Sequence, residues 1–261
     1  MSLFVYKGLI TLIIAIVTLT AGFTSLHFIR RYQHLLSIGD AFADGIFLGT
    51  AVFHLLPNAV RGLSNKLNTL SSYVLVIVLM GCVSLFLFIL EHSIILRKKE
   101  LHIISTKQIC TASTWILIGI LSIHAFTAGA ALGISNSTKV VSILLIAILA
   151  HKGFESFALM IELHRGIKKE NKIKVILWAF TFVTPFGIIV TAFIESFLQT
   201  QTTPIINSLF STFAASNFFY IGTLHGGHES FHPQGNFLKL YQKIFSTSLG
   251  VVAMGILAIW I

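Results

Sequence analysis

Tyr73-Val-Leu-Val-Ile-Val-Leu-Met-Gly-Cys-Val-Ser-Leu-Phe-Leu-Phe-Ile-Leu90 runs without one charged side chain. A helix needs roughly 20 mostly apolar residues to cross the hydrocarbon core of a bilayer. With its flanks, over 72–96, this segment reaches that length. Seven further runs of similar character lie at about 8–29, 38–60, 111–134, 140–164, 174–197, 205–225 and 242–261. Their length, and the lack of short alternating strands, exclude a lipid-spanning barrel. The predicted fold is an all-α integral membrane protein, a bundle of eight transmembrane helices forming one domain over 1–261. The connections are short, and neither an internal repeat nor a low-complexity segment interrupts them.

Composition agrees with that reading. Only 10% of the 261 residues are charged and 55% are hydrophobic, whereas a soluble domain carries roughly 25% charged residues. Such a chain cannot clothe itself for water, so its outer surface must face lipid. The net charge of +9 does not indicate a nucleic-acid partner. Its basic residues fall in clusters between apolar runs, Arg30–Arg31, Arg97–Lys99 and Lys168–Lys174, as cytoplasmic topology anchors do. The loops after helices 1, 3, 5 and 7 hold these clusters together with Lys107, Arg165, Lys239 and Lys243, while the opposite side holds only Lys7, Arg61, Lys66 and Lys139. Both termini are therefore expected outside, on the extracytoplasmic side. The first run lacks a small-residue cleavage pattern behind it and reads as a retained helix. Cys82 and Cys110 form neither a disulfide framework nor a CxxC site, and Cys82 is expected in the core. Gly45-Ile-Phe-Leu-Gly49 and Gly129-Ala-Ala-Leu-Gly133 are small-xxx-small patterns that let helix backbones approach in lipid.

Protonatable groups deep in a span are costly and tend to face a cavity or a partner. Helix 4 carries His124 near its middle; helix 5 carries His151, Lys152, Glu155 and Ser156 at similar depth. His151 and Glu155, four apart, share one helix face. Two imidazoles and a carboxylate suit a borderline divalent cation; a lone buried histidine would instead bond a backbone carbonyl. Lys152 either pairs with Glu155, although adjacent turns point it elsewhere, or supplies a fixed positive charge. On helix 2, Asp40 reads as an N-terminal cap, Asp44 lies a turn deeper, and His54 is an entrance ligand or an interfacial histidine. The end of helix 7, His225-Gly-Gly-His228-Glu229-Ser-Phe-His232-Pro233, contains HExxH, the zinc-protease spacing. Its glycines and Pro233 weaken the helix that chemistry requires. Three readings stand: a metal exit or loop-binding role, catalytic zinc, or a solvated loop.

At these residues the chain resembles the ZIP (Zrt/Irt-like) family of divalent metal-ion transporters. The matching pieces are Asp44 to Pro57 in helix 2, His124 to Gly133 in helix 4 and His151 to Leu159 in helix 5, with weaker echoes at Thr184 to Gly187 and Ala214 to Tyr220. The resemblance implies a metal pathway between helices 2, 4, 5 and 7, directed toward the cytoplasm, and eight helices with both termini outside. It implies His124, His151 and Glu155 as the metal site, His54 at its entrance, and His225, His228 and Glu229 at its exit. Lys152 matches a lysine of branches thought to lack a second metal, where an ammonium stands in for the missing cation. Departures are Ala128 where an acidic residue is usual, Asn58 after the helix 2 proline, and His225 in place of a glutamate.

The expected function is transport of zinc as substrate, with Fe2+, Mn2+ or Cd2+ also within reach of a two-histidine, one-carboxylate set, and with no organic cofactor. The expected location is the plasma membrane, or the inner membrane of a bacterium, with a homodimer as candidate assembly. The rivals are an intramembrane zinc hydrolase using the HESFH segment and a haem protein ligated by His124 and His151.

Overall fold

The computed structural model describes residues 3–32, 36–64, 67–100, 106–167, 169–195, 203–225 and 237–260. Among these residues there are helices and no strand. They are α1 (Leu3–Arg31), α2 (Leu36–Leu63), α3 (Thr69–Glu100), α4 (Thr106–Gly133), α5 (Thr138–Gly166), α6 (Glu170–Glu195), α7 (Thr203–Tyr220, continued by a π turn, Ile221–His225) and α8 (Phe237–Trp260). Seven of these helices, all but α7, are long and apolar enough to cross a membrane. α7 follows the predicted run, but Asn207, Ser208, Ser211, Thr212, Ser216 and Asn217 lower its apolarity.

The bundle is apolar on its outer faces and carries buried polar side chains among an apolar core. Phe182, Phe186, Ile189 and Phe193 form an exposed stripe on α6, and Phe245, Leu249, Val252, Ile256 and Ile259 form one on α8. Both follow helical spacing, so each is one face turned to lipid. Inside, Thr18, Thr50, Thr181, Thr212 and Ser216 are buried. Each hydroxyl donates to the carbonyl four residues before it, which satisfies a polar group where no water reaches.

Two seams rest on glycine. Across α2 and α8, a Cβ on Gly45 would meet the Thr247 carbonyl, and one on Gly250 the Phe42 carbonyl. Across α4 and α6, Gly129 lies against the Thr184 carbonyl, Gly133 against the Ile188 carbonyl and Gly187 against the Phe126 carbonyl. Both small-xxx-small patterns thus serve close backbone approach. α1 packs on α5 and α6, and α4 on the same two helices; α3 packs on α7 and on the end of α2. These groups meet where α4 touches α7 and α2 touches α5.

Two expectations are corrected. α2 begins at Leu36, which places Asp40 inside the helix rather than at its cap. Cys82 is exposed on α3, on a flank turned to lipid rather than in the core.

α2 also departs from regular geometry. Thr50–Leu55 is π-helical, and the Leu56 N–H donates to Ala51 O, five residues back. Pro57 follows. Having no N–H, it cannot close an α-helical bond to Phe53, and the widened turn forms just before it. His54 lies in that turn.

Candidate metal centre

His54, His124 and His151 line one cavity, together with Asn58, Thr127, Ala128, Leu144, Ile148, Ser211 and Ala214. The cavity holds about 30 Å³, above the ~10–15 Å³ that a single water-sized body needs. Its walls come from the late part of α2 and α4 and the early part of α5 and α7. These parts lie at one end of the bundle: Ser208 donates to the Ala59 carbonyl, and Asn207 donates to Ser135 at 3.4 Å. At the opposite end Arg30 pairs with Glu170.

The imidazoles of His124 and His151 stand with ring centroids 5.7 Å apart at 63°. Both side chains are buried. Among the described residues, no ring nitrogen of either meets a hydrogen-bond partner of good geometry, although the carbonyls of Ala214 and Ala147 lie nearby. A buried imidazole without a firm partner is uncommon, because the unmade bond costs free energy. His54 is 9% exposed, and its Nε2 lies 3.3 Å from Asn58 Nδ2.

Glu155 stands apart from the cavity wall. Its Oε2 accepts from Lys152 Nζ at 2.8 Å, and Lys152 also donates to Thr184 Oγ1 at 3.1 Å. The ammonium sits 4.9 Å above the Phe180 ring. So Lys152 does reach Glu155, three residues on, which is the first of the two readings open for it in the sequence. The second carboxylate oxygen, Oε1, is buried and has no hydrogen-bond partner among the described residues. Among the described residues, no three His, Cys, Asp or Glu side chains converge tightly enough to enclose a metal ion. His225 closes the π turn of α7, while His228 and Glu229 lie outside the described residues.

Three contacts escaped the sequence reading. Phe218 on α7 packs on both imidazoles. Thr184 on α6 holds Lys152. Glu91 on α3 is buried and accepts from the Tyr220 hydroxyl; an acid inside an apolar run was the available signal.

The model of the ZIP zinc transporter family matches residues 90–258, which take in α4 to α8 and both buried imidazoles. The chain belongs to the ZIP family. It is similar to Zinc transporter 1 of Oryza sativa subsp. japonica, 24% identical over 97% of this chain and 84% of the relative. It is likewise similar to Zinc transporter 11 of Arabidopsis thaliana, 26% identical over 99% of this chain and 86% of the relative. Protein zntD of Dictyostelium discoideum is 30% identical over 64% of this chain and 24% of the relative. This ZIP protein is a multi-pass membrane transporter of divalent metal rather than an enzyme. Nothing in these likenesses favours the hydrolase drawn from the HESFH segment.

Proposed function

We infer that this ZIP protein carries zinc toward the cytoplasm through the cavity between α2, α4, α5 and α7, with His124 and His151 as its central ligands. The observation that carries this reading is the cavity itself, where imidazoles from three helices face one small space. Zn–N bonds of ~2.0–2.1 Å in tetrahedral geometry leave two ligating imidazoles with centroids roughly 5 Å apart. The 5.7 Å between His124 and His151 is within a side-chain adjustment of that. His54 then acts as more than an entrance: it is the donor that closes the outer side of the set. Glu155 lies one helical turn beyond His151, and its free Oε1 is the next acceptor for a cation leaving the imidazoles. The path continues past His225, His228 and Glu229.

The same donors accept Fe2+, Mn2+ and Cd2+. One domain spans the chain, α7 serves as the eighth crossing with its polar face turned to the cavity, and both termini lie outside. The Lys and Arg clusters support that orientation; the plasma membrane, or the inner membrane of a bacterium, is the location proposed, and a homodimer is the candidate assembly.

Uptake of radioactive zinc into proteoliposomes tests the reading. His124→Ala and His151→Ala are expected to reduce uptake to the level of empty vesicles, and His54→Ala to raise the KM. Full uptake by both central variants, with the fold intact, would remove the site.

A further inference from the structure

Phe218 is wholly buried on α7. Its ring stacks on the His124 imidazole, centroids 3.6 Å apart and planes 27° apart. It also meets His151 edge-on, at 5.3 Å and 90°. On a further side it packs against Phe47 of α2, at 4.9 Å. One side chain of α7 therefore touches both central imidazoles and ties them to α2 as well. Phe218 is not part of the cavity wall, which on α7 ends at Ala214, one turn earlier. The ring packs on the imidazoles without lining the space that they share.

A ligating histidine is ordinarily oriented by a hydrogen bond from its second nitrogen to a carboxylate, carbonyl or water, and losing that partner costs 10–100-fold in metal affinity. Among the described residues, His124 and His151 lack such a bond of good geometry. Something else must fix the rotation of each ring. Stacked and edge-to-face aromatic contacts are directional, and Phe218 makes one of each.

We propose that Phe218 is the positioning residue of the metal site: its aromatic face sets the orientation of His124, its contact with the His151 ring sets that of His151, and Phe47 holds it in place. Phe218 does not touch the cargo. The inference rests on the cavity being the cargo site, and the experiment separates the two.

Purified full-length protein is titrated with Co2+, whose visible absorption reports ligand geometry, and the dissociation constants of Co2+ and Zn2+ are measured on the folded, monodisperse fraction. The wild type is expected to show a Co2+ band that His124→Ala and His151→Ala abolish; a band that survives both would sink the site reading itself. With that band in hand, Phe218→Leu keeps the apolar bulk and removes the ring. It is expected to weaken both metals about tenfold and to shift or broaden the band. Phe218→Met serves the same purpose should the leucine variant not fold. Phe218→Tyr retains the ring and is expected to restore most of the affinity. A packing role alone would lower the melting temperature while leaving the band and the constants of the folded fraction unchanged. That result in the leucine or methionine variant would overturn the proposal.

Discussion

Lys152 and Glu155 face each other at 2.8 Å where both side chains are almost fully buried. Such a pair contributes little net stability over apolar residues, yet removing one partner strands the other as an unpaired charge, at about 3–5 kcal/mol. Lys152→Met is accordingly expected to lower the unfolding midpoint in detergent sharply. The double variant Lys152→Met, Glu155→Gln should recover much of the loss. A single variant as stable as the wild type would show that the pair is not closed in the folded protein. These residues were legible in the sequence because an imidazole, ammonium or carboxylate inside an apolar run is too costly to be idle. Their partners were not. Spacing left the Lys152–Glu155 pair as one of two readings and gave no sign that the lysine would also reach Thr184. Phe218 was invisible for another reason: it is one of 23 phenylalanines, and only packing distinguishes the one that lies on the histidines.

At the level of elements, glycine separates seams from lipid faces. A methyl group on Gly129 would run into the Thr184 carbonyl, while at Gly119 nothing lies within 4 Å. Gly129→Ala should therefore lower the thermal midpoint, since the obstacle is backbone. Gly119→Ala should leave it unchanged or raise it, by up to about 1 kcal/mol of helix propensity. Equal effects would mean that α4 and α6 are not so closely apposed. Every helix was legible as an apolar run, but its ends were not. α1 starts at Leu3 and α3 runs to Glu100, beyond the runs at 8–29 and 72–96, because hydropathy follows the hydrocarbon boundary while the backbone ladder continues past it. The π turn of α2 left a trace only in Pro57, which hydropathy does not weigh.

For the whole molecule, cargo binding and protons compete. A ring nitrogen must be unprotonated to hold a metal, so uptake should weaken as pH falls through the imidazole range. Uptake that is flat or rises on acidification would contradict imidazole ligation. Tags at either end should be accessible to antibody on intact cells, as expected from the basic clusters at the ends of α1 and α3 and after α5; tags seen only after permeabilisation would invert the orientation. The π turn has a consequence at this scale too. Each residue of an α-helix advances about 100° around the axis, so a surplus residue acts as a phase slip, as a dislocation does in a crystal row. The early part of α2 presents Gly45 and Gly49 to α8, and the part beyond Thr50 turns to α7 and α3. One rod is thereby in register with two different neighbours, and His54 rides on the slip between them.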